Sequence, residues 1–188
     1  MLYFPDANLA FVAVPKTGST AVETAFEHLS EVKHTFGDVR SMHRPASWIR
    51  KTYGPTVEIV GVVREPTSWV ISKYRYLCSD LFETKASQRL VGFDRFIKKV
   101  LRGEKPWPEP LKNQTEYLDG ADTVFRYEDL DALVDYMGDR VGQTVALQKV
   151  NVSPAIDVSL STDQVSALRY HFSADLNLYT GTTHFKPE

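Results

Sequence analysis

The sequence predicts an α/β fold, a single domain over residues 1–188 with a mostly parallel central sheet flanked by helices. Three observations predict it. Short apolar runs alternate with segments whose apolar residues recur at helical spacing, the pattern of strand–helix–strand units. A length of 188 residues suits one core, and 43% hydrophobic residues are enough to fill it. No repeat, low-complexity tract or long linker divides the chain. The one proline-rich stretch, residues 103–111, reads as a rigid surface loop with similar composition on either side.

The elements follow in order. Residues 9–14 (LAFVAV) form the kind of short apolar run found in a strand buried on both faces. A turn from Pro15 to Ser19 comes next, and then Val22, Ala25, Phe26 and Leu29 make one apolar helical stripe. Residues 57–63 are a second buried strand, closed by Arg64-Glu65-Pro66. Pro66 suits the first turn of a helix carrying Trp69, Val70, Tyr74 and Leu77. Phe93, Phe96, Ile97, Val100 and Leu101 mark another amphipathic helix. Residues 123–127 are a third strand, followed by a helix with Leu130, Leu133, Val134, Met137 and Val141 on one face. Ser161 to Gln164 is a capping box opening a late helix that runs to about Phe172.

Composition narrows the class. Lys+Arg 22 against Asp+Glu 24 leaves a net charge of -2, which excludes a disordered polyelectrolyte and argues against bulk nucleic-acid binding. The single cysteine, Cys78, can form neither an internal disulfide nor a multi-cysteine zinc site. No apolar run reaches the ~18–20 residues of a membrane span, and the start of the chain carries no basic leader. A cytoplasmic protein is expected.

In such sheets ligands gather at the carboxyl ends of the strands, and two anion sites are expected there. In the first, Lys16-Thr17-Gly18-Ser19-Thr20 lies between a strand and a helix. Gly18 permits a tight turn, successive backbone N–H groups face one point, the helix start adds partial positive charge, and Lys16 adds a full one. The plainer reading is a helix capped by Ser19 or Thr20 beside a surface lysine. A Walker A loop would read GxxxxGK[ST]. Here the lysine precedes the glycine and no glycine precedes the lysine. In the second site Arg64 ends a strand and Ser72 follows on the returning helix, a fork and a hydroxyl suited to a phosphate monoester. The plainer reading pairs Arg64 with Glu65. Two anion sites at the ends of two strands in one sheet imply a ligand with two separated phosphate groups.

These residues resemble a family. PKTGST resembles the 5′-phosphosulfate loop of sulfotransferases that use 3′-phosphoadenylyl sulfate (PAPS). VVREPTSWVISKY resembles their 3′-phosphate motif, and FRYEDL at residues 125–130 resembles a strand-end segment of the same enzymes. The three occur in the family's order. The resemblance implies a P-loop-like, nucleotide-binding architecture with PAPS as donor and 3′-phosphoadenosine 5′-phosphate (PAP) as product. It also implies that Lys16, Thr17, Gly18, Ser19 and Thr20 hold the 5′-phosphosulfate, that Arg64 and Ser72 bind the 3′-phosphate, and that Tyr127 lies near the adenine. The layout is similar to carbohydrate 2-O-sulfotransferase-like members. Glu65 stands where an Asp is more frequent. No Arg-Lys-Gly segment appears near the end of the chain, so Asn151 and Ser153 are the candidates for the far side of the 3′-phosphate.

Sulfuryl transfer needs in-line geometry and stabilisation of charge on the leaving oxygen, which Lys16 would supply. His43 is the expected general base, by similarity to a histidine before the corresponding arginine motif in 2-O enzymes and because imidazole titrates near ~6.5. Glu23 is the second candidate, against its being an exposed helical glutamate. His34 has similar loop character without motif support, whereas His28, His171 and His184 read as structural or surface residues. No metal is expected, and no clustered ligand set appears. The acceptor is a small molecule or carbohydrate with a hydroxyl or amine. Trp48, Trp69, Trp107, Tyr53 and Tyr74 are divided between an acceptor pocket and the core. Two alternatives stay open: a P-loop-type nucleotide kinase, and a nucleotide-binding module without chemistry. Oligomeric state is open too.

Overall fold

The computed structural model describes residues 1–32, 43–78, 92–105, 111–147 and 156–182. A four-stranded sheet runs in the order β1 (Leu2–Phe4), β2 (Leu9–Val12), β3 (Glu58–Val63), β4 (Thr123–Arg126). β1 is antiparallel to β2, whereas β2, β3 and β4 are parallel, with Phe11 opposite Val60 and Val62 opposite Phe125. This is the expected α/β class with a mostly parallel sheet. The three parallel strands bring residues 13–18, Arg64 and Tyr127 to one end of the sheet.

Alternation along the strands sorts side chains between two faces. Leu9, Phe11, Ala13, Val60, Val62 and Phe125 turn one way and pack against Val22 and Phe26 of helix α1 (Ser19–Phe26). Ala10, Val12, Val14, Ile59 and Val63 turn the other way, onto Ala46 and Ile49 of α2 (Ala46–Tyr53). A third cluster lies beside the sheet, where Trp69, Val70, Tyr74 and Leu77 of α3 (Pro66–Leu77) meet Phe96, Ile97 and Val100 of α4 (Phe93–Leu101). Trp69 and Tyr74 are therefore core residues, whereas Trp48 and Tyr53 pack at the edge of the second cluster.

Short α5 (Thr115–Leu118) presses on β3. A Cβ built on Gly61 would sit 2.3 Å from Leu118 Cδ2, so only glycine permits this approach. After β4 a 3-10 turn (Tyr127–Asp129) leads into α6 (Leu130–Val141), whose Leu133, Val134 and Met137 join the first face. The expected capping box is present at Ser161, opening α7 (Thr162–His171). Helix α8 (Ser173–Gly181) follows, and Arg126 donates to the Tyr179 and Thr180 carbonyls at its end.

Some boundaries differ from expectation. β2 stops at Val12 because Val14 N–H already turns back to the Val12 carbonyl. Helix α1 ends at Phe26, short of Leu29. The strand Leu2–Phe4 and the helices α2, α5 and α8 have no counterpart in the sequence reading. Trp107, His34, His184, Asn151 and Ser153 lie outside the described residues, as does most of the proline-rich loop. None of the helices among the described residues is long and apolar enough to cross a membrane.

Candidate functional site

The loop between β2 and α1 turns through two left-handed residues. Lys16 (φ 69°) and Gly18 (φ 78°) are both left-handed and flank Thr17. This alternation of hand turns successive N–H groups into one concavity. The backbone N–H groups of residues 16–20 donate to no other group among the described residues. Gly18 is the N-cap of α1, and no side chain caps the helix, which sets aside the capping role for Ser19 and Thr20. Thr17 is buried, and its hydroxyl donates inward to the Val14 carbonyl at 2.9 Å. The hydroxyl is thereby engaged within the loop, and the N–H is left unpaired among the described residues. Glycine is required at 18 twice over. Its φ is left-handed, and a Cβ would lie 2.7 Å from Leu130 Cδ1 and 3.4 Å from Tyr127 Cε2.

Neighbouring strands and helix α3 hold the loop's outward carbonyls. Trp69 Nε1–H donates to the Pro15 carbonyl at 2.8 Å, and Arg64 donates from a terminal nitrogen to the Lys16 carbonyl at 3.3 Å. Arg64 also donates from Nε to Ser68 Oγ at 3.1 Å, and its guanidinium lies over the Tyr127 ring, 4.1 Å from the centroid. Arg64 is thus not paired with Glu65. The Glu65 carboxylate instead accepts from Ser68 N–H at the start of α3, from the Thr67 hydroxyl, and from Arg169. Burial would raise this carboxyl, but those hydrogen bonds outweigh burial and hold it below its ordinary value. Ser72 lies one turn beyond Ser68 on the same helical face. The structure thereby brings the Lys16 carbonyl, Gly18, Arg64 and Tyr127 together, and Ser72 stands one turn along α3 from the Ser68 that Arg64 contacts.

Sequence reasoning missed Lys73. Trp69, Lys73 and Tyr76 stand at i, i+4 and i+7, on one face of α3. Trp69 bonds the loop at Pro15, and the Lys16 ammonium sits 4.0 Å from the Tyr76 ring centroid. Lys73 lies between the two, its ammonium 5.6 Å from the Trp69 ring centroid. Burial, with the Arg64 charge adding to it, pulls Lys16 down to about 8. Burial and the Lys16 charge do the same to Lys73, also to about 8. No carboxylate among the described residues pairs with Lys16, Arg64 or Lys73. Three crowded cations beside unpaired N–H groups make a site whose electrostatics a polyanion would relieve.

His43 completes the cluster. Its Nδ1 lies 2.7 Å from the Ala13 carbonyl. A carbonyl can only accept, so Nδ1 carries the proton and Nε2 presents a lone pair. Burial lowers the imidazole below its ordinary 6.5; the Ala13 bond and Glu23 oppose that shift, and Lys73 and the Met1 amine add to it. Glu23 is buried, not exposed, and one of its oxygens accepts from the Met1 amine at 2.6 Å. The two candidate bases are electrostatic neighbours, the histidine tied to the residue after β2 and the glutamate to the residue before β1.

At the opposite, amino ends of the strands lies a surface depression of about 550 Å³ lined by Arg50, Lys51, Pro55 and Gly120. Arg50 there donates to the Pro55, Val57 and Gly120 carbonyls and to Asp122, so its charge is already engaged. Among the described residues, no group of three or more His, Cys, Asp and Glu side chains is arranged to hold a metal ion. No protein-family model matches the chain, and no curated protein matches it.

Proposed function

We propose that the protein is a sulfotransferase of P-loop-like architecture that moves a sulfuryl group from PAPS to a hydroxyl or amine acceptor. One observation carries the reading: Lys16, Arg64 and Lys73, without a carboxylate partner among the described residues, lie beside a strand-end loop whose N–H groups are unpaired there. Arg64 bonds the Lys16 carbonyl, and Lys73 packs near Trp69, which bonds the Pro15 carbonyl. The donor set fits this nucleotide. Residues 16–20 suit its 5′-phosphosulfate, Arg64 and Ser72 its 3′-phosphate, and Tyr127 lies beside them. The loop lacks the glycine spacing of a Walker A motif, which disfavours a nucleotide kinase.

Each residue then has a defined task. The acceptor oxygen or nitrogen forms a bond to sulfur as the bond from sulfur to the 5′-phosphate oxygen breaks, and the phosphate leaves with the electron pair. His43 Nε2 takes the acceptor's proton, its other nitrogen being held by Ala13. Lys16 and the loop N–H groups meet the charge that grows on the leaving oxygen. The acceptor is a small molecule or carbohydrate.

Calorimetry with PAP and ADP, followed by a transfer assay with PAPS and a panel of hydroxyl acceptors, tests the reading. Tighter binding of PAP and sulfation of an acceptor are expected. Equal affinity for the two nucleotides would overturn the two-phosphate site. Tight PAP binding with no transfer to any acceptor would make the protein a nucleotide-binding module.

A further inference from the structure

Two fully buried polar groups take no part in the proposed chemistry: the amide of Gln114 and the carboxylate of Asp175. Gln114 holds Arg64 by both of its main-chain groups. The Arg64 N–H donates to Gln114 Oε1 at 2.9 Å, and Gln114 Nε2 donates back to the Arg64 carbonyl at 2.8 Å. This two-point ring forms just past the end of β3, where no further strand pairs with the Arg64 backbone. Gln114 is itself held by Asp175 of α8. Oδ2 of that carboxylate accepts from Gln114 N–H at 2.8 Å, and Oδ1 accepts from Thr115 N–H at 2.9 Å and from the Thr115 hydroxyl at 3.0 Å. Burial pushes the Asp175 carboxyl up, and these hydrogen bonds oppose the shift.

The side chain of Arg64 has its own contacts, with Ser68, the Lys16 carbonyl and Tyr127, but all three depend on where its backbone leaves the strand. A backbone rotation there would swing the guanidinium by several ångströms. We infer that Gln114, anchored by Asp175, is a positioning residue that aims Arg64, so that recognition of a ligand's second phosphate depends on a helix far along the chain. This rests on the sulfotransferase reading insofar as that phosphate is the 3′-phosphate of the donor.

The experiment measures PAP and AMP affinity by calorimetry for the wild type, Gln114→Met, Arg64→Ala and the double variant. Both nucleotides carry the 5′-phosphate, and only PAP carries the 3′-phosphate. Gln114→Met should weaken PAP roughly tenfold, the equivalent of a hydrogen bond or two, and change AMP less than about twofold. If Gln114 works through Arg64, the double variant should bind PAP no more weakly than Arg64→Ala alone. Parallel loss of PAP and AMP, or additive losses in the double variant, would reduce Gln114 to a structural residue and overturn the inference. Should Gln114→Met not fold, Asp175→Asn takes its place with the same expected ratio. A wild type that binds PAP and AMP equally would instead overturn the two-phosphate reading, an outcome visible before any variant is made.

Discussion

The imidazole of His43 is tied by its Nδ1–H to the carbonyl of Ala13, 2.7 Å away and one residue past the end of a central strand. The bond selects one tautomer and anchors the ring to the end of a fully buried strand. Nε2 is therefore a lone pair in a fixed place, with Glu23 and Lys73 exerting opposite pulls on its protonation.

For His43 as base, His43→Ala should keep near-normal PAP affinity while single-turnover transfer falls ~10²–10⁴-fold. The wild-type rate should rise with pH below ~6.5 and level above it, because burial lowers the imidazole, and the variant should lack this limb. Glu23→Gln removes a charge that favours the imidazolium, so the limb should move to lower pH with the plateau retained. An inactive Glu23→Gln beside a near-wild-type His43→Ala would transfer the role to the helix.

Arg64→Ala should weaken PAP by tens-fold, since a lost charge-assisted contact costs ~1.5–3 kcal/mol. AMP should be nearly unaffected. Calorimetry with both nucleotides reads this directly.

Lys16 and Lys73 both titrate at about 8 in the ligand-free protein, against an ordinary 10.5. Two opposite pH trends follow. Nucleotide affinity should fall as pH rises through 8, because the two ammonium groups lose their charge. Ligand-free stability from the same groups should rise between about 8 and 10.5, where the unfolded chain binds more protons than the folded one. Lys73→Met should flatten part of both trends. An affinity independent of pH between 7 and 9.5 would remove these ammoniums from the site.

Lys16→Ala should lower turnover more than it weakens PAP binding, since the charge it meets grows in the transition state. Transfer should not require magnesium. Activity lost on chelation and restored only by a metal would contradict the proposed chemistry.

Much of this arrangement was legible in the sequence, and the remainder was hidden for physical reasons. The apolar runs around Phe11 and Val60 announce strands covered on both faces, the shorter run around Phe125 announces a third strand, and Ser161 with Gln164 announces a helix start through a local hydrogen-bond pair. Leu2–Phe4 is too short to show any period. Ala46–Tyr53 buries only Ala46 and Ile49, leaving little stripe to detect. A lysine such as Lys73 reads as solvated in any periodicity. Only its spacing from Trp69 and Tyr76 could have placed it at the loop. The pairing of Gln114 with Asp175 joins residues 61 positions apart that belong to no motif.

The left-handed backbone of Lys16 has a consequence for the protein's thermal behaviour. A side chain there costs on the order of 1 kcal/mol relative to glycine, and its ammonium is further disfavoured by burial and by Arg64. Lys16→Gly should therefore melt at a higher temperature than the wild type when no nucleotide is present, and it should be catalytically dead. The wild type should recover the difference on binding PAP, giving a larger thermal shift than the variant. A screen for heat resistance alone would therefore select against the lysine at this position, the residue to which the proposed transfer assigns the leaving charge.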